Sequence, residues 1–258
     1  MDCANVRLRS GWTLPAAAIV LLCLGGMFAG AEDNAANGDD PFREMREEMV
    51  KRHLAQAGGW GRDAIEDENV LNAMRTVKRH EFVPGQYRRQ AYLDRPMPIG
   101  HGQTISQPYI VAYMTELLEL EEDDVVFEVG AGSGYHAAVM AEIVEEVYTV
   151  EIVEPLAESC AERLERVGYD NITVRHADGY YGWEEHAPFD AIVVTAAASH
   201  IPPPLVEQLK PEGRMIIPVG PPMQTQNLML VEKDEEGQVT RRNVMPVRFV
   251  PLTREDEE

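Results

Sequence analysis

The chain is poor in cysteine, aromatic residues and positive charge, and each shortage excludes a class of protein. Its three cysteines are Cys3, Cys23 and Cys160. Two lie within the first 31 residues, so the rest of the chain holds one thiol and no internal disulfide framework. Seven histidines without paired spacing and one remaining thiol do not make a tetrahedral zinc set, so no metal is expected. Only 23 Lys and Arg stand against 44 Asp and Glu, a net charge of −21. That balance argues against nucleic acid as the main partner, because phosphate binding needs clustered cations. Aromatics at 7% and a mean hydropathy of −0.28 exclude a polytopic membrane protein. No internal repeat is visible, and 258 residues at 45% hydrophobic content are ample for a real core.

One long uncharged run is present. Arg7 and Arg9 precede Gly11 to Ala31, and Ala29-Gly30-Ala31 offers a small-x-small cleavage site before Glu32-Asp33. Positive, apolar, small is the order of a secretory signal, so residues 1–31 are expected to be cleaved and the protein exported. Two alternatives stand: an uncleaved anchor, which the length nearly allows, and a start at Met27, which would make the protein cytoplasmic. Leu22 before Cys23 speaks against a lipoprotein signal. Residues 32–41 read as an acidic linker, 42–253 as one domain with a helical and loop region over 42–120, and 254–258 as a frayed charged tail.

Within that domain, helical spacing is expected over 42–57. A second helix, capped by Asp67 or Asn69, carries Val70, Leu71, Met74 and Val77 on one stripe. Residues 85–107 show no clean period and read as an extended loop. A helix begins at Pro108, a residue suited to a first turn. From residue 125 short apolar strands alternate with helices. Val125–Val129 is followed by a glycine turn and a helix through Glu146. Strands are then expected at 147–151, 172–174, 191–194 and 215–217, with a helix over 155–167 between the first two. Residues 228–231 and 244–252 read as a terminal antiparallel hairpin. The alternation defines an α/β fold with a mostly parallel sheet and helices on both faces.

The turn Gly130-Ala131-Gly132-Ser133-Gly134 lets backbone N–H groups approach a ligand closely. A dinucleotide site wants Gly-x-Gly-x-x-Gly; here the third glycine, Gly134, comes one residue early and Tyr135 takes its place. Glu128, just before the turn, would repel a pyrophosphate but suits the cationic methionine portion of S-adenosylmethionine. Glu151 ends the next strand, where a ribose-binding carboxylate is expected. Asp178-Gly179 follows the third strand and can accept from an adenine amino group. Three carboxylates at successive strand ends read together as a methyltransferase-type site, although each alone is an ordinary residue in an acid-rich chain. His136 reads as a surface residue at a helix start.

Gly100-His101-Gly102-Gln103-Thr104-Ile105-Ser106-Gln107-Pro108 resembles the signature of protein-L-isoaspartate (D-aspartate) O-methyltransferases. The resemblance runs from about Leu71 to Thr253. It includes Phe82-Val83-Pro84, Thr195-Ala196-Ala197-Ala198, Ile217-Pro218-Val219-Gly220 and Arg248-Phe249-Val250-Pro251-Leu252-Thr253. It implies a Rossmann-like methyltransferase fold with S-adenosylmethionine as cofactor. The implied reaction is methyl transfer to the α-carboxylate of L-isoaspartyl residues, or the side-chain carboxylate of D-aspartyl ones. The ester then collapses to a succinimide, the first stage of repair. Damaged proteins and peptides are the implied partners, and a monomer is expected. The resemblance makes Ser106 the active-site serine; capping the helix from Pro108 is its alternative role. It places Gln103, Thr104, Ile105, Ser106 and Thr253 near cofactor and substrate, and Ser133, Glu151, Ile152, Asp178 and Gly179 on the cofactor. Gly130, Gly132 and Gly134 join them from the turn, with Glu128. Departures stand at Val111 and Tyr109, where many members carry histidine, and at His101, where tyrosine or alanine is commoner. Two rivals remain: a methyltransferase of the same fold acting on a small molecule, and a non-catalytic binder of damaged carboxylates.

Overall fold

A computed structural model describes residues 40–57 and 62–254. The expected signal, the Met27 start and most of the acidic linker lie outside the described residues. Asp40 does not behave as linker: its Oδ2 pairs with Arg46 Nη1 at 2.6 Å. The described helices are α1 (Arg43–Met49), α2 (Glu68–Thr76), α3 (Pro108–Leu117), α4 (Tyr135–Ala141), α5 (Glu154–Val167) and α6 (Pro203–Glu207). None is long and apolar enough to cross a membrane.

A two-stranded antiparallel ribbon, β1 (Met97–Gly100) and β2 (Gln103–Ile105), precedes the main sheet. The sheet comprises β3 (Val125–Val129), β4 (Glu146–Glu151), β5 (Ile172–His176), β6 (Phe189–Val194), β7 (Leu209–Val219), β8 (Gln226–Lys233) and β9 (Val239–Val247). Its order is β5-β4-β3-β6-β7-β8-β9. The five strands β3 to β7 run parallel, and β8 and β9 add antiparallel at one edge. Strand β3 is central, with β4 on one side and β6 on the other. Successive crossovers therefore leave it in opposite directions, which opens a crevice at its carboxyl end.

Alternation along β3 builds two cores. Val126 joins Met114 and Leu118 at the end of α3, with Ala137 and Met140 of α4, on one face. Phe127 and Val129 join Ile192, Met215 and Ile217 on the other, where Phe127 stacks on Phe189 at 5.0 Å between ring centroids. Each such fully buried side chain contributes about 1.5–3 kcal/mol. A third cluster links α2 and its neighbours to the inner face of α4. Asp67 caps α2, its Oδ1 accepting from Asn69 N at 2.7 Å and Val70 N at 3.2 Å.

The structure corrects several expectations. Residues 85–107 are not one extended loop: a 3-10 turn spans Gly85–Gln90, and the β1–β2 ribbon follows. Strands of four and three residues are too short to show a period. The first helix passes into a π-helical turn over Val50–Ala55. The helix after the glycine turn stops at Ala141, because the chain must reverse before β4 begins at Glu146. Ile143 and Val144 pack beneath the sheet and so mimic a helical stripe. The final strand is 239–247 rather than 244–252. It is a largely exposed edge strand carrying Arg241, Arg242 and Asn243, so its sequence lacks the apolar alternation of a covered strand. Residues 248–252 leave the sheet instead. Arg254 is anchored rather than frayed; residues 255–258 lie outside the described residues.

Candidate active site

The crevice beyond β3, β4 and β6 holds a cavity. Of the fourteen residues singled out in the sequence, twelve line it: Gln103, Thr104, Ile105, Ser106, Glu128, Gly130, Gly132, Ser133, Glu151, Ile152, Gly179 and Thr253. The other two stand behind its wall. Gly134 caps α4 in a left-handed conformation (φ 83°), and Asp178 sits beside Gly179. The glycine turn is folded back on β4, with Gly130 N and Ala131 N donating to Val150 O at 2.8 and 3.0 Å. At Gly130 (φ 98°) a Cβ would lie 2.4 Å from Thr195 Oγ1, so only glycine lets Thr195 reach in and donate to Gly130 O at 2.6 Å.

The three strand-end carboxylates differ in state. Glu151 accepts from Gly132 N at 2.8 Å and from Val153 N at 3.0 Å, which locks the glycine turn to β4. Asp178 accepts from Tyr180 N at 2.9 Å and pairs with Arg254 Nε at 3.1 Å. Glu128 is fully buried. Thr149 Oγ1 donates to its Oε2 at 2.6 Å, while Oε1 has no partner among the described residues. Burial, reinforced by the negative charge of Glu151 and only partly offset by Thr149, pushes the Glu128 carboxyl up to about 8. An orphaned buried acceptor on the cavity wall fits a ligand that brings its own donor or positive charge.

Ser106 follows β2 and does not cap α3. That office falls to Asp94, whose Oδ1 accepts from Tyr109 N at 2.9 Å while its Oδ2 accepts from Gln107 Nε2 at 2.7 Å. Ser106 Oγ makes no hydrogen bond among the described residues, and Ser106 O accepts from Arg79 Nη2 at 2.6 Å. Arg79 is itself fully buried, donates through Nε to Ala91 O at 2.8 Å and lies 4.5 Å over the Tyr135 ring. The serine therefore stands on a loop tied to the core by a buried arginine. It lines the cavity and also a neighbouring cleft bordered by Arg62, Ile110, Met245, Arg248 and Phe249.

Sequence reasoning missed several wall residues. Thr195 follows β6, the same strand-end position that singled out Glu151, and that position was a usable signal. His136 is a correction: it is buried, not on the surface, and lines the cavity. Thr115 Oγ1 donates to Val111 O at 2.8 Å and stands 3.0 Å from His136 Nε2, which must then carry the proton. Burial pushes the imidazole down to about 3, so it is neutral. Val111 lines the cavity, whereas Tyr109 lines neither hollow. Tyr109 stacks on Tyr113 and donates to Asp63 O at 3.0 Å. Pro251 and Leu252, expected in a strand, form another part of the wall.

A central parallel strand, a glycine turn with the wrong spacing for a dinucleotide, and a carboxylate buried just before it define the class. It is that of Rossmann-like methyltransferases, which use S-adenosylmethionine. A family model described as protein-L-isoaspartate(D-aspartate) O-methyltransferase matches residues 52–257, and the chain belongs to that family. It is 57% identical over 240 residues to protein-L-isoaspartate O-methyltransferase 2 of Syntrophobacter fumaroxidans, covering 92% of this chain and 96% of that protein. It is 61% identical over 193 residues to protein-L-isoaspartate O-methyltransferase 2 of a Polaromonas species, covering 75% and 91%. A solved structure from Plasmodium falciparum, described as a protein-L-isoaspartate O-methyltransferase in complex with S-adenosyl-L-homocysteine, superposes with a TM-score of 0.67 at 28% identity. That match covers 83% of this chain and 99% of the other.

Proposed function

We propose that this protein transfers a methyl group from S-adenosylmethionine to the α-carboxylate of L-isoaspartyl residues, or the side-chain carboxylate of D-aspartyl residues, in damaged proteins and peptides. The observation that carries this reading is the position of Ser106, whose residue lines both the glycine-turn cavity and the adjoining cleft. In this reading the cavity holds the cofactor and the cleft admits the peptide.

The bound cofactor supplies an electrophilic methyl on a positively charged sulfur. A substrate carboxylate with pKa near ~4 is already ionised at neutral pH, so the chain need not supply a general base. With the cofactor held by the glycine turn, the carboxylate oxygen would take the methyl, the new C–O bond replacing the C–S bond whose electron pair would stay on sulfur. Opposite charges are consumed, so catalysis rests on alignment and exclusion of water. Ser106 Oγ donates to the acceptor carboxylate and aims one oxygen at the methyl. Glu128 would meet the cationic methionine portion, Glu151 the ribose, and Gly179, held in place by the turn that Asp178 caps, the adenine. Gln103 to Ile105, Ile152 and Thr253 complete the walls.

The test is transfer of labelled methyl to two peptides that differ only in isoaspartyl against aspartyl linkage. Base-labile label on the isoaspartyl peptide alone is expected. Label on neither, with cofactor binding intact, would point to the small-molecule rival; tight peptide binding without turnover would point to the non-catalytic one. Ser106→Ala should lower kcat about 10- to 100-fold, the value of one hydrogen bond to a charged acceptor, and leave S-adenosylhomocysteine affinity within about twofold. An unchanged kcat would remove the serine from the reaction.

Export is the reading of residues 1–31, supported by their positive, apolar, small order. N-terminal sequencing of the native protein should start near Glu32; a start at Met1 or Met27 would overturn it.

A further inference from the structure

We infer that Arg254 is a positioning residue that holds two walls of the cofactor cavity together and slows cofactor release. The inference rests on the reading that this cavity takes S-adenosylmethionine.

After β9 the chain crosses the cavity, and Val250, Pro251, Leu252 and Thr253 line it. Backbone bonds hold the middle of this strap: Ala197 N donates to Val250 O at 2.8 Å, and Leu252 N to Ala197 O at 2.8 Å. Beyond Leu252 the ties among the described residues come from the side chain of Arg254. Its Nε donates to Asp178 Oδ2 at 3.1 Å and its Nη2 to Tyr181 Oη at 2.8 Å. The guanidinium lies 3.7 Å over the Tyr180 ring and 5.0 Å from that of Tyr181.

The acceptor end of this contact belongs to the opposite wall. Asp178 begins the turn Gly179–Tyr181, its Oδ1 accepting from Tyr180 N. Gly179 is pressed so closely on β3 and β4 that a Cβ would lie 2.3 Å from Val129 Cγ1. That turn is therefore fixed to the sheet, and Arg254 fixes the strap to the turn. The Asp178 side chain is only 5% exposed and that of Arg254 20%, so water screens the pair incompletely. A planar guanidinium can pair with a carboxylate along its edge and stack on a ring with its face; an ammonium cannot do both. Releasing Arg254 frees the end of the strap without disturbing the sheet.

The test is calorimetric S-adenosylhomocysteine binding, stopped-flow release, and steady-state kinetics for the wild type, Arg254→Ala and Arg254→Lys. Arg254→Ala should raise the Kd for S-adenosylhomocysteine and the KM for S-adenosylmethionine about tenfold, mainly through faster release. The peptide KM should stay within about twofold, a split that general loosening would not produce. Arg254→Lys should recover part of the loss by keeping the charge. Unchanged affinity and release in Arg254→Ala would overturn the inference, including when its melting temperature falls, because the residue would then be a structural anchor alone. Equal losses in both KM values would overturn it too. A wild type that binds no S-adenosylhomocysteine would instead overturn the reading of the cavity, and this inference with it.

Discussion

Arg79→Met is expected to cost about 3 kcal/mol of folding stability and most of the methyl-transfer activity. Methionine keeps the bulk of the stem but withdraws the donors that reach Ala91 O and Ser106 O. A buried acceptor left unpaired costs about 1–3 kcal/mol, and two carbonyls are stranded. An opposing effect must be weighed. Arg79 Nη1 has no hydrogen-bond partner among the described residues, and exchanging a buried ion for an apolar group is often neutral when every partner is replaced as well. Here the partners are backbone carbonyls and cannot be replaced, so the loss prevails. The functional effect follows from the tether: without it the loop carrying Ser106 is no longer fixed, and misplacement by about 1 Å can cost 100-fold in rate. Arg79→Lys should rescue only part of this, since one ammonium cannot reproduce the fork. Urea unfolding together with kcat reads both effects. An unchanged unfolding midpoint with normal kcat would show that the loop is held by something else.

Glu128→Gln should weaken S-adenosylmethionine binding by about 10- to 100-fold and abolish a proton release that accompanies it. The carboxyl sits near 8 before binding, mainly through burial, and is therefore largely protonated at pH 7. A cation against it favours the ionised form, so binding should expel up to one proton. Calorimetry in two buffers of different ionisation enthalpy measures that number directly, and glutamine should bring it near zero. The same group sets a stability trend in the ligand-free protein. Its folded pKa lies above the ordinary value of 4.5, so the folded chain holds the proton more tightly than the unfolded one. This contribution is full below about pH 4.5 and is lost as pH rises to about 8. Glu128→Gln should remove that decline. Equal proton release in both proteins would mean that the carboxylate does not meet the cofactor.

The inner parallel strands β3, β4 and β6 were legible because they are covered on both faces. Val125–Val129 stands out as an apolar run interrupted only by Glu128, and the single charge in a buried strand marked the ligand wall. The antiparallel edge was harder. Strand β9 is exposed over most of its length, so Arg241 and Arg242 hid it, while the apolar residues from Val250 to Leu252, which look like a strand, cover the cavity instead. Ser106 could be assigned two roles from sequence because capping logic looks only at neighbours. The actual acceptor, Asp94, comes from fifteen residues upstream of Tyr109, whose N–H donates to it. His136 was misread for the same reason: its hydroxyl partner, Thr115, lies on another helix. Local signals located the carboxylates and glycines well; what they touch depended on contacts between distant segments.

The same exposed strand that escaped sequence reading also shapes how the molecule meets its own kind. An open β-edge offers unpaired backbone groups to any other extended chain. Here β9 ends the sheet with Arg241, Arg242 and Pro246, and β5 ends it on the opposite side with Arg175. Cations repel a second copy of the same edge, and proline withholds the N–H that a pairing strand would need. Both borders thus resist strand-by-strand pairing, a useful property in a protein proposed to meet damaged chains.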